Sequence, residues 1–461
     1  MIIDPYFIKT VVSMRNYTLL IFLFCSLTTV FSQEEKKNHV IDNPATLILL
    51  EEAKHYYTEG KTLEALNLFR SIEAKDDDSP NVKYWISLCY YRLNNYTLAL
   101  NYARKTLHLD SKPSGEFYEL LGRCYHQNAQ VDSAIYFYTK SLDELSKLRA
   151  EELNILKKID ECKFALSEYR SSKPNARKLL NVEVNSEFNE YAPILTQGGK
   201  TLYFAARRNN TTGGLKNPDD EQYFEDIYRA KWNDTYHTWD SITNQLGKLN
   251  GDGFEAFTFI NSDATKALLT LNTTALDIDA TTESSDICEV EIKNGVWSKP
   301  KTIANESINT SYYDGAATMS ADGNTMIFVS DREGEKSSTD LYIVRKIGKK
   351  WGEATPLPMN VNTKGRETTP YLTPDGKYLF FSSDGHKGMG GYDIYVTQNY
   401  GTSWSTPINL GSSINTVNDD THFQYYPELK RALMAGITLD EMQCNYNIYE
   451  IDLEKVQLPL K

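Results

Sequence analysis

Between Asn43 and Leu142, apolar and small residues recur at the three-and-four spacing of amphipathic helices; after Pro174 the rhythm becomes that of short alternating strands. The helical stretch repeats itself. Its clearest copy is GEFYELLGRCYHQNAQVDSAIYFYTKSLDEL, with Tyr118, Leu121, Gly122, Tyr125, Ala134, Tyr138 and Ser141 as marks. Ile86, Ser87, Tyr90, Tyr96, Ala99 and Ala103 stand in the same register one copy earlier, and Ala53, Tyr56, Ala65 and Phe69 in the copy before that. The alanines Ala65, Ala99 and Ala134 are 34 and 35 residues apart. Two antiparallel helices on a short turn must approach closely, so a small residue belongs at the crossing and aromatics fill the space around it.

Three copies in one register resemble the tetratricopeptide repeat, with Ala53 and Ser87 in place of the usual first-helix glycine. The stretch Glu151–Arg170 reads as a charged amphipathic helix closing the solenoid, so the helical domain is expected over 43–170. Such solenoids bind through the concave face of their first helices. That register puts Lys54, Tyr57, Tyr91, Arg92, Arg123, His126 and Gln127 there, a basic and aromatic strip. Three roles fit it: a groove for an extended or helical acidic segment of a partner, an ordinary solvated face, or a face covered by the chain's own second domain.

After Ser171-Ser172-Lys173-Pro174, expected as a hinge, the repeat lengthens. Asp226-Ile227-Tyr228, Asp286-Ile287-Cys288, Asp340-Leu341-Tyr342, Asp393-Ile394-Tyr395 and Asn447-Ile448-Tyr449 are separated by 60, 54, 53 and 54 residues. Each copy predicts a polar turn such as Asp375-Gly376, an alternating strand such as Tyr378–Ser382, the Asp-Ile-Tyr strand, and a fourth strand begun by Trp297, Trp351 or Trp404. Four short strands per copy make a propeller blade. The pattern is similar to the WD40-like PD40 repeats of TolB-type propellers, over 177–461; Gln197-Gly198-Gly199 and Pro427-Glu428-Leu429 replace the Pro-Asp-Gly turn in the first and fifth copies. The segment Leu179–Pro193 matches the hand-over between blades but has no blade before it, so it is expected to complete the fifth blade by pairing with the C-terminal strands. The predicted fold is therefore multidomain, α then all-β: a helical solenoid followed by a five-bladed β-propeller.

Composition narrows the function. The chain has 461 residues, 41% of them hydrophobic, and a formal charge of -13, which disfavours a phosphate-binding surface and hence nucleic acid as a partner. From Met14 the run MRNYTLLIFLFCSLTTVFSQ has signal-peptide grammar, with cleavage expected near Ser32; residues 1–32 are thus a leader, Met14 is a possible start, and Cys25 is poorly framed for lipidation by the bulky Phe24 before it. The five remaining cysteines, Cys89, Cys124, Cys162, Cys288 and Cys444, lack metal-ligand spacing, so no metal or other cofactor is expected and they read as small hydrophobes.

No G-x-S-x-G, H-E-x-x-H or P-loop is present. Thr397–Trp404 resembles the Asp-box hairpin of sialidase propellers, itself a structural turn, and the recurring Asp226, Asp286, Asp340 and Asp393 read as loop anchors. The polar insertion Asn217–Glu225 reads as a solvated loop. Helical repeats, a PD40-like propeller and a leader together resemble the front of OmpA-family envelope proteins of Bacteroidota, including a type IX secretion component. The wall-gripping OmpA-like module is not in this sequence, so peptidoglycan binding is not carried over. The resemblance implies a periplasmic or outer-membrane-associated scaffold that docks envelope proteins without catalysis. A glycan- or ligand-sensing propeller using its channel mouth is the alternative. A propeller hydrolase would need paired carboxylates at that mouth.

Overall fold

The computed structural model describes residues 43–75, 77–217, 220–272, 285–332, 338–439 and 444–460. The leader, with Met14, Cys25 and Ser32, lies outside them, as do residues 218 and 219 of the insertion.

Six helices form three hairpins: α1 (Pro44–Thr58) with α2 (Thr62–Glu73), α3 (Pro80–Arg92) with α4 (Tyr96–Leu109), and α5 (Gly115–Gln127) with α6 (Val131–Glu144). Their starts are written locally. Asn43, Ser79, Asn95 and Ser114 each accept a backbone N–H of the first turn through the side chain, and Pro44 and Pro80 occupy first-turn positions where no N–H is needed. Ala65, Ala99 and Ala134 are wholly buried at the crossings. Ser87, standing where glycine is usual, satisfies its buried hydroxyl on the Ala99 carbonyl at 2.8 Å.

The closing helix differs from expectation. Asn154 takes a left-handed φ of 51° and divides it into α7 (Lys147–Glu152) and α8 (Ile155–Arg170). α8 packs Ile155, Ile159, Cys162 and Ala165 into the α4–α6 core.

Five antiparallel sheets follow. Blade one is built from Glu190–Thr196, Thr201–Ala206, Asp226–Asn233 and Thr238–Thr243. Blades two, three and four start at Phe254, Asp314 and Glu367, and blade five at Asp420. Arg177–Leu179 pairs antiparallel with Tyr449–Ile451, so the first strand of the propeller completes the last blade as the hand-over pattern predicted.

Two features correct the strand reading. Tyr378–Ser383 is buried at every position, because alternate side chains enter two different cores: Tyr378 and Phe380 pack toward blade five, Leu379 and Phe381 toward blade three. Alternation here sorts residues between neighbouring blades rather than between core and water. Trp297 and Trp351 belong to tight hairpins folded back on the third strand, and the fourth strands are the later Lys301–Thr302 and Thr355–Pro356. Trp404 bridges Asn399 in the same way, before Ile408–Asn409; Thr397–Trp404 is thus a turn.

Two side-chain rings fasten the blades. Asn185, Asn250, Asn309, Asn362 and Asn415 each accept the N–H and donate to the C=O of the central residue of an Asp-Ile-Tyr strand, Ile448, Ile227, Ile287, Leu341 and Ile394 respectively. The amide thus supplies, once per blade, the partner that a further strand would have given.

The second ring is a buried carboxylate near the start of each inner strand: Glu190, Glu255, Asp314, Glu367 and Asp420. In four blades the residue after the clamp asparagine, Ser186, Thr310, Thr363 or Thr416, donates both its N–H and its hydroxyl to that acid. Arg208, Arg332 and Arg177 add cations to Glu190, Asp314 and Asp420, and Ser383 adds a hydroxyl to Glu367. Blade two has Gly251 instead of the hydroxyl residue; there burial pushes the Glu255 carboxyl up to about 8, and its Oε2 has no partner among the described residues.

Candidate docking face

The first helices α1, α3 and α5 carry the basic and aromatic strip, and the propeller divides it. His126, at the end of α5, is 3% exposed and bonds through Nε2 to the Met389 carbonyl at 2.8 Å. Burial holds its pKa below the usual 6.5. The Met389 side chain, wholly buried, joins the core formed by α4, α5, α6 and α8. Met389 is held in turn by Asp393, whose Oδ2 accepts its N–H at 2.7 Å. One of the recurring blade aspartates therefore anchors the loop that reaches the helices. Asp226 likewise holds the turn at Thr212, and the described part of Asn217–Glu225, expected as a solvated loop, is instead packed down, with Asn217, Phe224 and Glu225 buried and Asp220 paired with Arg207. Gly390 has φ 131°, and a Cβ there would lie 2.8 Å from the His126 ring, so glycine is what lets the loop pass.

Tyr91 is the second member drawn inward: with Tyr96 it packs against Ile437, Cys444 and Tyr446 of blade five. α8 completes the contact. Lys157 donates to the Asp384 carbonyl at 2.8 Å, and Glu168 accepts the Ser412 N–H at 3.0 Å. The segment expected as a hinge is fixed on both sides, because Lys173 pairs with Glu168 at 2.8 Å and Ala176 donates to the Ser413 carbonyl at 3.0 Å.

Of the other members Arg92 is exposed, and Lys54, Tyr57, Arg123 and Gln127 are half-buried. Lys54 lies 5.9 Å from the centre of the Trp85 ring and pairs with Glu51 at 2.8 Å. Arg92 is exposed, stacks 3.6 Å above the Tyr57 ring and donates to the Tyr57 carbonyl. Tyr57 meets Trp85 edge-on at 5.4 Å. Arg123 is half-buried above Tyr91 at 4.5 Å; burial opposes its charge, but Glu119, 2.8 Å away, keeps it protonated. Gln127 is half-buried at the α5 terminus.

Sequence reasoning missed Glu119, which sits buried between Arg123 and Lys158 of α8, the latter at 2.6 Å. Burial would raise its pKa, yet the two cations hold it below the ordinary 4.5. The signal was an acid on the inward side of α5 facing a lysine of the closing helix. Of the seven strip residues, His126 and Tyr91 lie against the propeller, while Lys54, Tyr57 and Arg92 make cation–aromatic contacts away from it.

Elsewhere, the propeller mouth places Tyr191 against Glu225, Tyr446 on Asp419 at 2.7 Å and Arg366 between Tyr392 and Asp384. Among the described residues the five cysteines are buried and none is in a disulfide, and burial pushes the Cys89 and Cys124 thiols up to about 12.

The tetratricopeptide-repeat family model matches residues 50–114 and 90–147. These residues are tetratricopeptide repeats. No curated protein sequence matches the chain. Among solved structures, the first repeat domain of Spaghetti (RPAP3) bound to an HSP90 peptide is 19% identical, covering 26% of this chain and 93% of that one at a TM-score of 0.24. The Yersinia enterocolitica type III secretion chaperone SycD, in complex with a peptide of YopD, is 18% identical, covering 27% and 97% at 0.25. A structure described as a glycoside hydrolase is 8% identical, covering 69% of this chain and 98% of that one at 0.40.

Proposed function

We propose that the protein is a non-catalytic scaffold or adaptor of the cell envelope, in a secretion or outer-membrane assembly, whose tetratricopeptide repeats take an acidic segment of a partner protein along the α1–α3 part of the concave face. The observation that carries this reading is the pair of stacked cations, Lys54 on Trp85 and Arg92 on Tyr57, on the part of the face that the propeller does not reach. Lys54 shares its charge with Glu51, so Arg92 is the cation of the strip that can steer an oppositely charged segment on an otherwise acidic chain. Two further points support the reading. Repeat solenoids of this kind present extended concave surfaces for binding. The inner-strand acids Glu190, Asp314, Glu367 and Asp420 are committed to hydroxyls and arginines that hold the ring. The envelope location rests on the leader grammar of residues 14–32.

The test is a photo-crosslinking residue at position 57 in living cells, with a second at position 126. Position 57 is expected to capture a partner peptide rich in Asp and Glu, and the capture is lost in Lys54→Glu/Arg92→Glu, a variant that gives up the Arg92–Tyr57 and Lys54–Glu51 contacts and is expected to stay folded at a cost of about 1–2 kcal/mol in chemical denaturation. Position 126 is expected to crosslink only to the Met389 loop. No capture at position 57 in a folded, exported protein overturns the docking reading. Cell fractionation with N-terminal sequencing tests the location, the mature chain being expected to begin just after Ser32.

A further inference from the structure

The repeats of the propeller depart from their own rule at two places, and the two are neighbours in space. In blades two, three and four the turn between the first and second strands is held by an aspartate: Asp263 accepts from Thr265, Asp322 from Ser320 and Asn324, Asp375 from Thr373 and Lys377. Blade one has Gln197-Gly198-Gly199 there, with Gly198 left-handed at φ 64°, and blade five has Pro427-Glu428-Leu429 as a 3₁₀ turn. These blades meet where the ring closes. Antiparallel strands put their first turns at the end of the sheet opposite the loops that carry Met389, so the place is remote from the helical domain.

Between the two turns lies an open surface depression of about 390 Å³. Gly199, Lys200 and Trp232 line it from blade one; Leu429, Arg431 and Glu450 line it from blade five. Gly199, with φ 82°, brings its backbone against Leu429 and Arg431: a Cβ there would stand 3.2 and 3.3 Å from them. Trp232 has no counterpart. The residue six places after the Asp or Asn of the third-strand motif is Trp in blade one and Ile292, Lys346, Asn399 and Leu453 in the others. The indole of Trp232 is half-buried and braced edge-on by the buried Trp239 at 5.3 Å. Arg431 lies over the same Trp239 at 5.7 Å, pairs with Glu450 at 2.5 Å and reaches the Gly199 carbonyl at 3.4 Å.

The charges of the lining cancel locally, Arg431 with Glu450 and Lys200 with Asp234. A site with an aromatic face and no net charge does not select an ion. A guanidinium–carboxylate pair offers donors and acceptors in one plane, which fits adjacent hydroxyls, and an indole face fits the C–H side of a sugar ring. We propose that the closing seam of blades five and one is a saccharide subsite, in which Trp232 carries a neutral sugar ring and the Arg431–Glu450 pair bonds its vicinal hydroxyls. This does not depend on the docking face.

The test titrates the full-length mature chain with cellobiose, maltose and N,N′-diacetylchitobiose, and with an unsaturated hyaluronan disaccharide as the anionic counterpart, by calorimetry and tryptophan fluorescence. At least one neutral disaccharide is expected to bind, weakened about tenfold or more by Trp232→Ala and by Glu450→Gln. Glu450→Gln keeps the shape of the site, so it decides the outcome if Trp232→Ala misfolds. No binding of any neutral disaccharide at about 10 mM, binding of the anionic sugar alone, or binding indifferent to Glu450→Gln overturns the proposal.

Discussion

The two halves of this chain are both repeats, and they dispose of their open ends in different ways. The propeller bends its repeats into a ring and closes it with Arg177–Leu179, so each blade finds its apolar neighbours within the same ring. The solenoid cannot close. It covers its last hairpin with α8 and then lays part of its concave face, at His126 and Tyr91, against blades four and five. The ring's blade cores are thus closed among themselves, and the ring meets the solenoid through side chains of blades four and five such as Met389, Ile437 and Cys444, whereas the solenoid buries part of its concave face in that contact. This explains why a strip that is continuous in the repeat register is divided in three dimensions.

The sharpest way to break the comparison is at the closing strand. Arg177 pairs with Asp420 at 2.7 Å, both nearly inaccessible, so Arg177→Ala strands a buried carboxylate and is expected to cost about 3–5 kcal/mol in chemical denaturation. The exposed Lys147–Glu151 pair is the reference, and its removal should change stability by less than about 1 kcal/mol. Equal effects from the two would mean that closure does not depend on this contact.

A smaller effect separates the halves without opening the ring. Met389→Ala empties a wholly buried site in the helical core and is expected to cost about 2–4 kcal/mol, falling on the solenoid. Calorimetry should then resolve a helical transition below the propeller transition. A single transition shifted as a whole would show that the halves unfold as one unit regardless of this contact.

The smallest effect depends on pH. The folded-state pKa of His126 is held below 6.5 chiefly by burial, with Lys158 and Lys157 acting in the same direction against Glu161 and the bond to the Met389 carbonyl. A depressed pKa means that the unfolded state binds the proton first. The contribution is complete above pH 6.5 and is lost as pH falls below it toward the folded value. Glu119, held below 4.5, gives way only in stronger acid. Between about pH 7.5 and 5.5 the parent should lose more thermal stability than His126→Gln, a difference that cancels His422, which burial pushes down to about 4. Parallel losses would remove His126 from the contact.

What the sequence disclosed follows from range. Helix pairs and blades are local and periodic, so Ala65, Ala99 and Ala134 or the Asp-Ile-Tyr strands marked them directly, and even the ring closure was legible because Leu179–Pro193 repeated an internal pattern. The asparagine clamp was equally periodic at Asn185, Asn250, Asn309, Asn362 and Asn415, but a lone Asn before Ser, Thr or Gly reads as an ordinary turn residue until its two bonds to one backbone residue are seen. The division of the docking strip was not legible in the same way. His126 and Met389 are 263 residues apart, and a loop with the sequence Gly388–Gly391 carries no periodic mark of what it touches. The helix break at Asn154 and the fixed linker escaped for the same reason: tertiary contacts decide them.

The pairing of Leu179 with Tyr449 has a consequence for the order in which the molecule is made. When the chain folds, each helical hairpin finds its partner close by in sequence, but the strand that begins the ring must wait for the one that completes it, 270 residues further on. During that wait the faces destined for Leu433 and Ile448 are open to the same segment of another copy.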